Sequence, residues 1–551
     1  MFTRKFAKLL MNITMFISLS TLVFAVEVDE NELKSTGSID TVVFVNYTGP
    51  HTKIDSLKSI KEIGSSLGIK VSSSLEETIS TGDSKYSVIH AIDPSESGKL
   101  DADIIVIGSN ATVDHINNLR HIISSYLISA YGYTEADANT VAVFVTVYNA
   151  VYRGNIDYFS NKYKNIVTSN LTSDKCGLAL NYNDWPGKSQ IVIPLYDVKG
   201  GLSSVDTSII SDKEVVKHMQ EDDDKNVESR KQMVDIKERE AEDATEKAQE
   251  AQKKAAEEQK KLQEEKQKTQ EAKKEADDAK KEAEQAKKVA EENPNDKKAQ
   301  EEAAKKQEVA EEKQEALEVQ KEKQEEQKQK TEEAKETAAE KQAIADKKTT
   351  EAQNERKEIA KDQQEVIEKA IRDAATPAVY GMELTDEKHL LSTMIKVNAT
   401  NGKIIKTSPV TVIRNRTMFQ AGENFIAIAG ENKGNGAVKL VLLSPDSMEI
   451  TAESNEIVHE NSVLIQDGSD YYCVIQDGKN WVLAKYDQEL TLKLKSPVPL
   501  MSSTPVSITN AGIVVTGSKG NVKLLDKSDL TDASFKLGFP KINEEDYGKR
   551  R

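Results

Sequence analysis

The period of the hydrophobic positions changes twice along this chain and divides it into three parts. In the middle part, from about Glu228 to Arg372, apolar residues are sparse but regular. Val227, Val234, Ala241, Ala248, Ala255, Leu262, Thr269, Ala276, Ala283 and Ala290 recur every seven residues. Ala244, Ala251, Ala272, Ala279 and Ala286 follow three residues after members of that row. This is a heptad seam whose second row is broken by Lys237, Glu258 and Glu265. A comparable row continues through Ala303, Ala310, Leu317, Gln324, Thr331, Ala338, Ala345, Ala352, Ile359 and Val366, with Lys306, Lys313, Gln320, Gln327 and Lys341 where a second apolar row would stand. Almost all other positions are Glu, Lys, Gln and Ala, which have high helix propensity. The pattern predicts long charged coiled-coil helices, with a single solvated helix as the bland alternative. Between the halves lies Glu292-Asn293-Pro294-Asn295-Asp296. Proline has no N–H and clashes with the preceding turn, so one straight helix is excluded there. Either the rod folds back at Pro294 into an antiparallel hairpin or it kinks and continues. The matching alanine rows, which permit close backbone approach, favour the hairpin.

Before the rod, the spacing is that of a mixed α/β or α+β domain. Ile39 to Tyr47 is β-branched and aromatic and predicts a strand, ended by Thr48-Gly49-Pro50. Ile54 to Leu67 has helical spacing and is expected to stop at Gly68. Tyr86 to Ile92, Asp103 to Ile107 and Gln190 to Leu195 read as strands. Thr112 to Ala130 reads as an amphipathic helix, Thr134 starts another that runs to about Tyr152, and Ile156 to Val167 fits a third.

After the rod, from Thr376-Pro377, short strands and turns dominate. Asp467-Gly468 and Asp477-Gly478 are hairpin signals. Taking Val397, Leu443, Tyr486 and Leu525 as equivalent gives steps of 46, 43 and 39 residues, a period that suits propeller blades. A four-bladed propeller, an incomplete one closed by a partner and a plain β-sandwich all fit. The expected division is therefore 1–25 as a signal peptide, 26–220 as the α/β domain, 221–375 as the rod and 376–551 as an all-β, propeller-like domain.

The signal peptide rests on Arg4, Lys5 and Lys8 ahead of the apolar run from Leu9 to Phe24, with small residues for cleavage after Ala25. No later apolar run reaches membrane-spanning length. The formal charge of −17 over 551 residues argues against a nucleic-acid partner. The two cysteines, Cys176 and Cys473, lie on opposite sides of the rod, and nothing in the sequence brings them together. Unpaired, partly buried thiols are the expectation.

Tyr148, Tyr152, Arg153, Tyr158 and Trp185 are the candidate binding residues. Aromatics around an arginine make a partner-binding patch; the competing and favoured reading is that they pack a helix onto the sheet. No catalytic residue, cofactor or metal site is expected. Gly187-Lys188-Ser189 has Tyr182 where a phosphate loop needs its first glycine. Asp222, Asp224 and Asn226 begin like a calcium loop, but Val227 replaces the turn glycine and Met233 the last glutamate. His115 and His121 are six apart and off a common helix face.

Four stretches carry a resemblance: Phe44 to Pro50, Asn118-Leu119-Arg120, Tyr148 to Tyr158, and Trp185 to Leu195. They are similar to the spirochaetal eighty-three/one-hundred-kilodalton antigen family of Borrelia, in which a signal peptide, an N-terminal domain, a charged helical middle and a β-rich end come in the same order. The resemblance implies an envelope protein known mainly as an antigen, without established enzymatic activity. The rod resembles the family in composition alone. The leading expectation is a non-enzymatic exported protein of the periplasm or outer envelope, with a scaffolding or binding role. Its partners would be envelope proteins or a second copy joined through the coiled coil, with no nucleic acid. A surface-exposed antigen or adhesin and an exported hydrolase are the alternatives.

Overall fold

A computed structural model describes residues 42–51, 56–73, 78–196, 205–433 and 436–534. The expected signal peptide lies outside these residues, as does the start of the Ile39 to Tyr47 strand.

The N-terminal region is a four-stranded antiparallel sheet in the order β1 (Thr78–Gly82), β2 (Tyr86–Ala91), β3 (Asp101–Ile107), β4 (Ser189–Leu195). Helix α1 (Leu57–Ser72) packs on α2 (Ile116–Tyr131), which packs on α3 (Glu135–Val151). Ser56 and Thr134 cap α1 and α3 by accepting from the N–H groups of Ser59 and Asp137. Two sequence expectations fail here for physical reasons. Helix α1 does not stop at Gly68 but runs through it to Ser72. A Cβ on Gly64 would sit 1.9 Å from the Ile122 carbonyl oxygen, and one on Gly68 would sit 2.6 Å from that of Tyr126. These glycines allow two helices to touch rather than ending one. The Ile39 to Tyr47 stretch makes only an isolated bridge, Val45 with Asn181, in its described part. Val43 and Val45 stay at least half exposed there, so the β-branched side chains drive no burial. The third expected helix is split into α4 (Ile156–Lys162) and α5 (Asn165–Thr168), and buried Lys164 in the gap pairs with Asp101 at 2.8 Å. Two short helices, α6 (Thr207–Ile210) and α7 (Lys213–Gln220), lead to the rod.

The rod is two long helices, α8 (Val227–Glu292, 66 residues) and α9 (Lys297–Ala374, 78 residues). They are joined at Asn293 to Asp296, where Asp296 caps α9. They run antiparallel: Arg230 meets Asp362 near the base, Lys313 meets Glu275 further out, and Lys306 meets Glu282 towards the tip. The buried positions follow the seven-residue rows, with Val234, Ala241, Ala248, Ala255, Leu262, Ala276 and Ala283 on α8 and Leu317, Thr331, Ala338, Ala345, Ala352 and Ile359 on α9. The base rests on α3, where Arg239 donates to Asp137 at 2.6 Å and Thr140 to Gln232 at 3.0 Å.

The C-terminal region is all-β with open sheets. A seven-stranded sheet comprises β5 (Ala378–Asp386), β6 (Leu391–Asn398), β7 (Ile404–Thr407), β8 (Ile413–Ala421), β9 (Asn424–Ala429), β10 (Lys439–Leu443) and β11 (Ile450–Glu453). Strand β8 carries two left-handed residues, Asn415 and Arg416, where its register shifts, and the two halves of the sheet share an apolar core. A second sheet follows, of β12 (Ile465–Asp467), β13 (Asp470–Asp477), β14 (Asn480–Tyr486) and β15 (Leu492–Lys495). A third contains β16 (Ser507–Thr509), β17 (Gly512–Thr516) and β18 (Val522–Leu525). Both Asp-Gly signals are two-residue hairpins, with Asp467 opposite Asp470 and Asp477 opposite Asn480.

The positions aligned as repeats, Val397, Leu443, Tyr486 and Leu525, each lie at or next to the end of a strand. Each precedes a polar residue, Asn398, Ser444, Asp487 or Asp526, whose carbonyl accepts from a left-handed residue three or four positions on. Those residues are Gly402, Met448, Leu490 and Leu530, at φ of 72°, 63°, 62° and 58°. The polar side chain takes further N–H groups inside the loop. One turn is thus written four times in different letters.

Candidate functional site

The tyrosine group forms where the end of α3 meets α4 and the start of α7. Tyr148 is fully buried and its hydroxyl lies 2.7 Å from that of Tyr163. Tyr152 and Tyr158 stack with centroids 3.6 Å apart and planes 7° from parallel. The Tyr152 hydroxyl donates to Asp212 Oδ2 at 2.6 Å, and Asp212 also caps α7 through Val215 N–H. Burial raises all three phenols, that of Tyr158 to about 12, so none is a base near neutral pH. The Arg153 guanidinium donates to the carbonyls of Cys176, Gly177 and Asp174. Trp185 is fully buried, with Nε1 donating to the Ala179 carbonyl at 2.7 Å. The structure therefore gathers Tyr148, Tyr152 and Tyr158, ties Arg153 to the neighbouring loop, and holds Trp185 in a turn that Gly187 closes at φ 74°. Tyr152, Tyr158 and Asp212 are partly exposed, as is Arg153, so the stacked rings and their carboxylate are reached by solvent.

Asn149, beside Tyr148, was not singled out by sequence reasoning. Its buried amide accepts from Val192 N–H and donates to the Val192 carbonyl, satisfying the backbone of the edge strand β4. A second missed group centres on Asp103, which has no solvent exposure. It lies directly across the sheet from His90, whose Nδ1 is 2.5 Å away, and accepts from the hydroxyls of Tyr126 and Tyr131 at 2.6 and 2.5 Å. Three partners occupy most of the acceptor capacity of one carboxylate. The arrangement anchors α2 to the sheet. Its sequence signal is the second aspartate of the strand DADIIVI, set between apolar residues.

A third constellation joins regions distant in sequence. Asn46 Oδ1 accepts from Ile116 N–H at 2.7 Å, at the start of α2. Thr48 Oγ1 donates to the Pro409 carbonyl at 2.9 Å, and the Pro50 carbonyl accepts from Ala437 N–H at 2.9 Å. His51 Nε2 lies 2.8 Å from Asp114 Oδ2. Asp114 raises the His51 pKa, chiefly through that hydrogen bond and against the effect of burial. The segment from Asn46 to His51 is thus a clasp that holds the C-terminal sheets against the N-terminal region.

Among the described residues, no group of three or more His, Cys, Asp or Glu side chains is placed to hold a metal ion. No described helix is long and apolar enough to cross a membrane. Cys176 and Cys473 are both buried and free.

The clasp and the tyrosine group are built from the stretches that carry the sequence resemblance, and the family comparison agrees with them. The model of the Borrelia P83/100 protein family matches residues 31–506. The chain belongs to that family. The match spans the clasp, the tyrosine group, both rod helices and the C-terminal sheets as far as β15. No curated protein matches the chain.

Proposed function

We propose that this chain is an exported, non-enzymatic protein of the cell envelope, in which a folded base carries a long rod. In this reading residues 1–25 direct export, 26–220 and 376–551 form the base, and 221–375 is an antiparallel coiled coil. The seven-residue burial rows support the coiled coil. The four repeated turns support a propeller-like C-terminal domain. Membership of the Borrelia P83/100 family supports an antigen role and an association with the envelope or surface, and within that range the reading places the protein in the periplasm or outer envelope.

One observation carries the proposal: the hairpin sends its tip about 100 Å from the base, while the buried polar groups of the described residues are concentrated in the base. A stiff projection on a closed base suits spacing or tethering in an envelope, with protein partners met along the rod or at the Tyr152–Tyr158 face. Fractionation combined with protease treatment of whole cells tests this. The expected result is release with envelope fractions and protection in intact cells, with digestion starting at the rod once the outer membrane is opened. Recovery with the cytoplasm would defeat the proposal. Digestion in intact cells would move the protein to the surface and favour an adhesin.

A further inference from the structure

The clasp and the start of α2 meet through two histidines that use their rings in opposite ways. His51 Nε2 stands 2.8 Å from Asp114 Oδ2, and the Tyr47 ring lies edge-on to the imidazole at a centroid distance of 4.8 Å. A carboxylate partner favours the ring that carries both protons. His115, the residue after Asp114, is the N-cap of α2, and its Nδ1 accepts from Asn117 N–H at 3.1 Å. An imidazolium has a proton on each nitrogen and nothing left to accept with. This cap therefore exists only while His115 is neutral.

Both rings sit where the N-terminal region meets the C-terminal sheets. Tyr47 N–H donates to the Asp114 carbonyl at 2.8 Å, and Asn46 takes Ile116 N–H, so the clasp leans on the residues that start α2. On its other side His51 forms an isolated bridge with Gly436, beside the bond from Ala437 N–H to the Pro50 carbonyl. The charges facing His51 are Asp114, Glu453 on β11 and Lys439 on β10, which itself binds Glu453 at 3.0 Å. Tyr47, against the His51 ring, faces Glu431 and Tyr182. His115 faces Asp114, Glu449 ahead of β11, Arg120 on α2 and His51 itself. Of these residue types, histidine is the one whose ordinary pKa puts its charge change between about pH 5 and 8.

We propose that this joint is a pH-sensitive latch, tightest near about pH 6.5 and looser on both sides, with His51 setting the alkaline limb and His115 the acid limb. The Asp114 hydrogen bond raises the His51 pKa, although burial opposes it. Its contribution is therefore complete below the ordinary histidine value of about 6.5 and is lost as pH rises through the higher folded value. Burial lowers the His115 pKa, outweighing Asp114 and Glu449. Its contribution is complete above the same ordinary value and is lost as pH falls through the lower folded one. The two losses start from one point and run in opposite directions, so their sum peaks there. The latch leaves the sheets themselves intact, since their apolar clusters contain no residue of the joint.

Hydrogen exchange of the full-length chain between about pH 5 and 8.5, corrected for the intrinsic rate at each pH, tests it. Protection of the Ala437 amide should be greatest near about pH 6.5 and fall several-fold towards each end. H51Q keeps a donor for Asp114 and should flatten the alkaline limb alone. H115N keeps a capping acceptor and should flatten the acid limb alone. Circular dichroism reports whether each variant folds, and the parent profile is decisive without them. A flat or one-sided parent profile overturns the proposal. So do two limbs that survive in the H51Q/H115N double variant, because other groups would then be titrating. Equal limbs at the amides of β13 and β14 also overturn it, because the whole fold rather than the joint would be responding.

Discussion

The rod and the stacked sheets hide apolar surface with opposite materials. The rod seam is mostly alanine, and the sheets meet through Ile, Leu, Val and Tyr. At about 25 cal/mol per Å² of apolar area, a buried methyl contributes far less than a buried leucine, which is worth about 1.5–3 kcal/mol. The sheets can therefore be specified by shape alone, whereas an alanine seam would tolerate sliding by a heptad. The rod takes its register from polar pairs across the seam. Lys237 meets Glu355 at 2.5 Å, Gln327 donates to Glu258 at 2.6 Å, and Gln320 donates to Glu265. Energy and register come from the same residues in one region and from different residues in the other.

The largest expected effect is at the rod base, where register and burial coincide. Arg230 is 3% exposed and pairs with Asp362 at 2.7 Å, and Gln220 and Lys225 donate to the same carboxylate. R230M leaves that carboxylate inside without its main partner and should cost about 3–5 kcal/mol in the melting of the rod base. Adding D362L should recover most of the loss, because a neutral pair removes the stranded charge. Burial pushes the Asp362 pKa up, but the bonds from Arg230, Gln220 and Lys225 outweigh it, so the folded value lies below the ordinary one. Its contribution is therefore complete above the ordinary carboxylate pKa of about 3.9 and is lost as pH falls through the lower folded value. Thermal melts followed by helical dichroism at descending pH should show the parent losing stability in that acid window, with D362N flatter. Parallel pH curves would remove Asp362 from the account.

Next in size is a truncation in the middle of the sheets. Leu440 is fully buried, and L440A should cost about 2–5 kcal/mol in urea unfolding. Because the layers share faces, the loss should reach β13 and β14, where hydrogen exchange would accelerate. If exchange rose only in β10, the layers would be independent units and the contrast with the rod would fail. By comparison, A248G at a fully buried seam position should cost about 1 kcal/mol, with faster exchange confined to nearby turns of α8 and α9.

The same contrast explains what could be read from the sequence. The seven-residue rows placed both rod helices because alanine spacing needs no knowledge of the partner. Lys306, Lys313, Gln320 and Gln327 looked like gaps in a second apolar row. They meet Glu282, Glu275, Glu265 and Glu258, and that is visible only once the hairpin fixes which residue faces which. His90 and Asp103 were hidden for the same reason, since their meeting depends on the register of β2 and β3. Gly68 misled because helix ends and close helix contacts use the same residue. Of the candidate binding residues, the spacing of Tyr148 and Tyr152 put them on one helix face. The stack of Tyr158 on Tyr152 needed the turn at Gly154, and the bond to Asp212 needed α7.

The smallest effect is expected at the rod tip, and it sharpens the comparison most finely. Lys306 reaches Glu282 at 2.5 Å, as closely as Lys237 reaches Glu355, but its side chain is 41% exposed against 9% for Lys237. In water and salt an exposed pair gains little, because solvation and side-chain entropy offset the attraction. K306A should leave the melting curve of the full-length chain unchanged, whereas K237A should shift it downward. Raising the salt concentration should weaken the Lys306 contact and leave the Lys237 pair largely intact. Equal shifts for the two variants would mean that contact geometry, rather than burial, sets the worth of a polar pair in this seam.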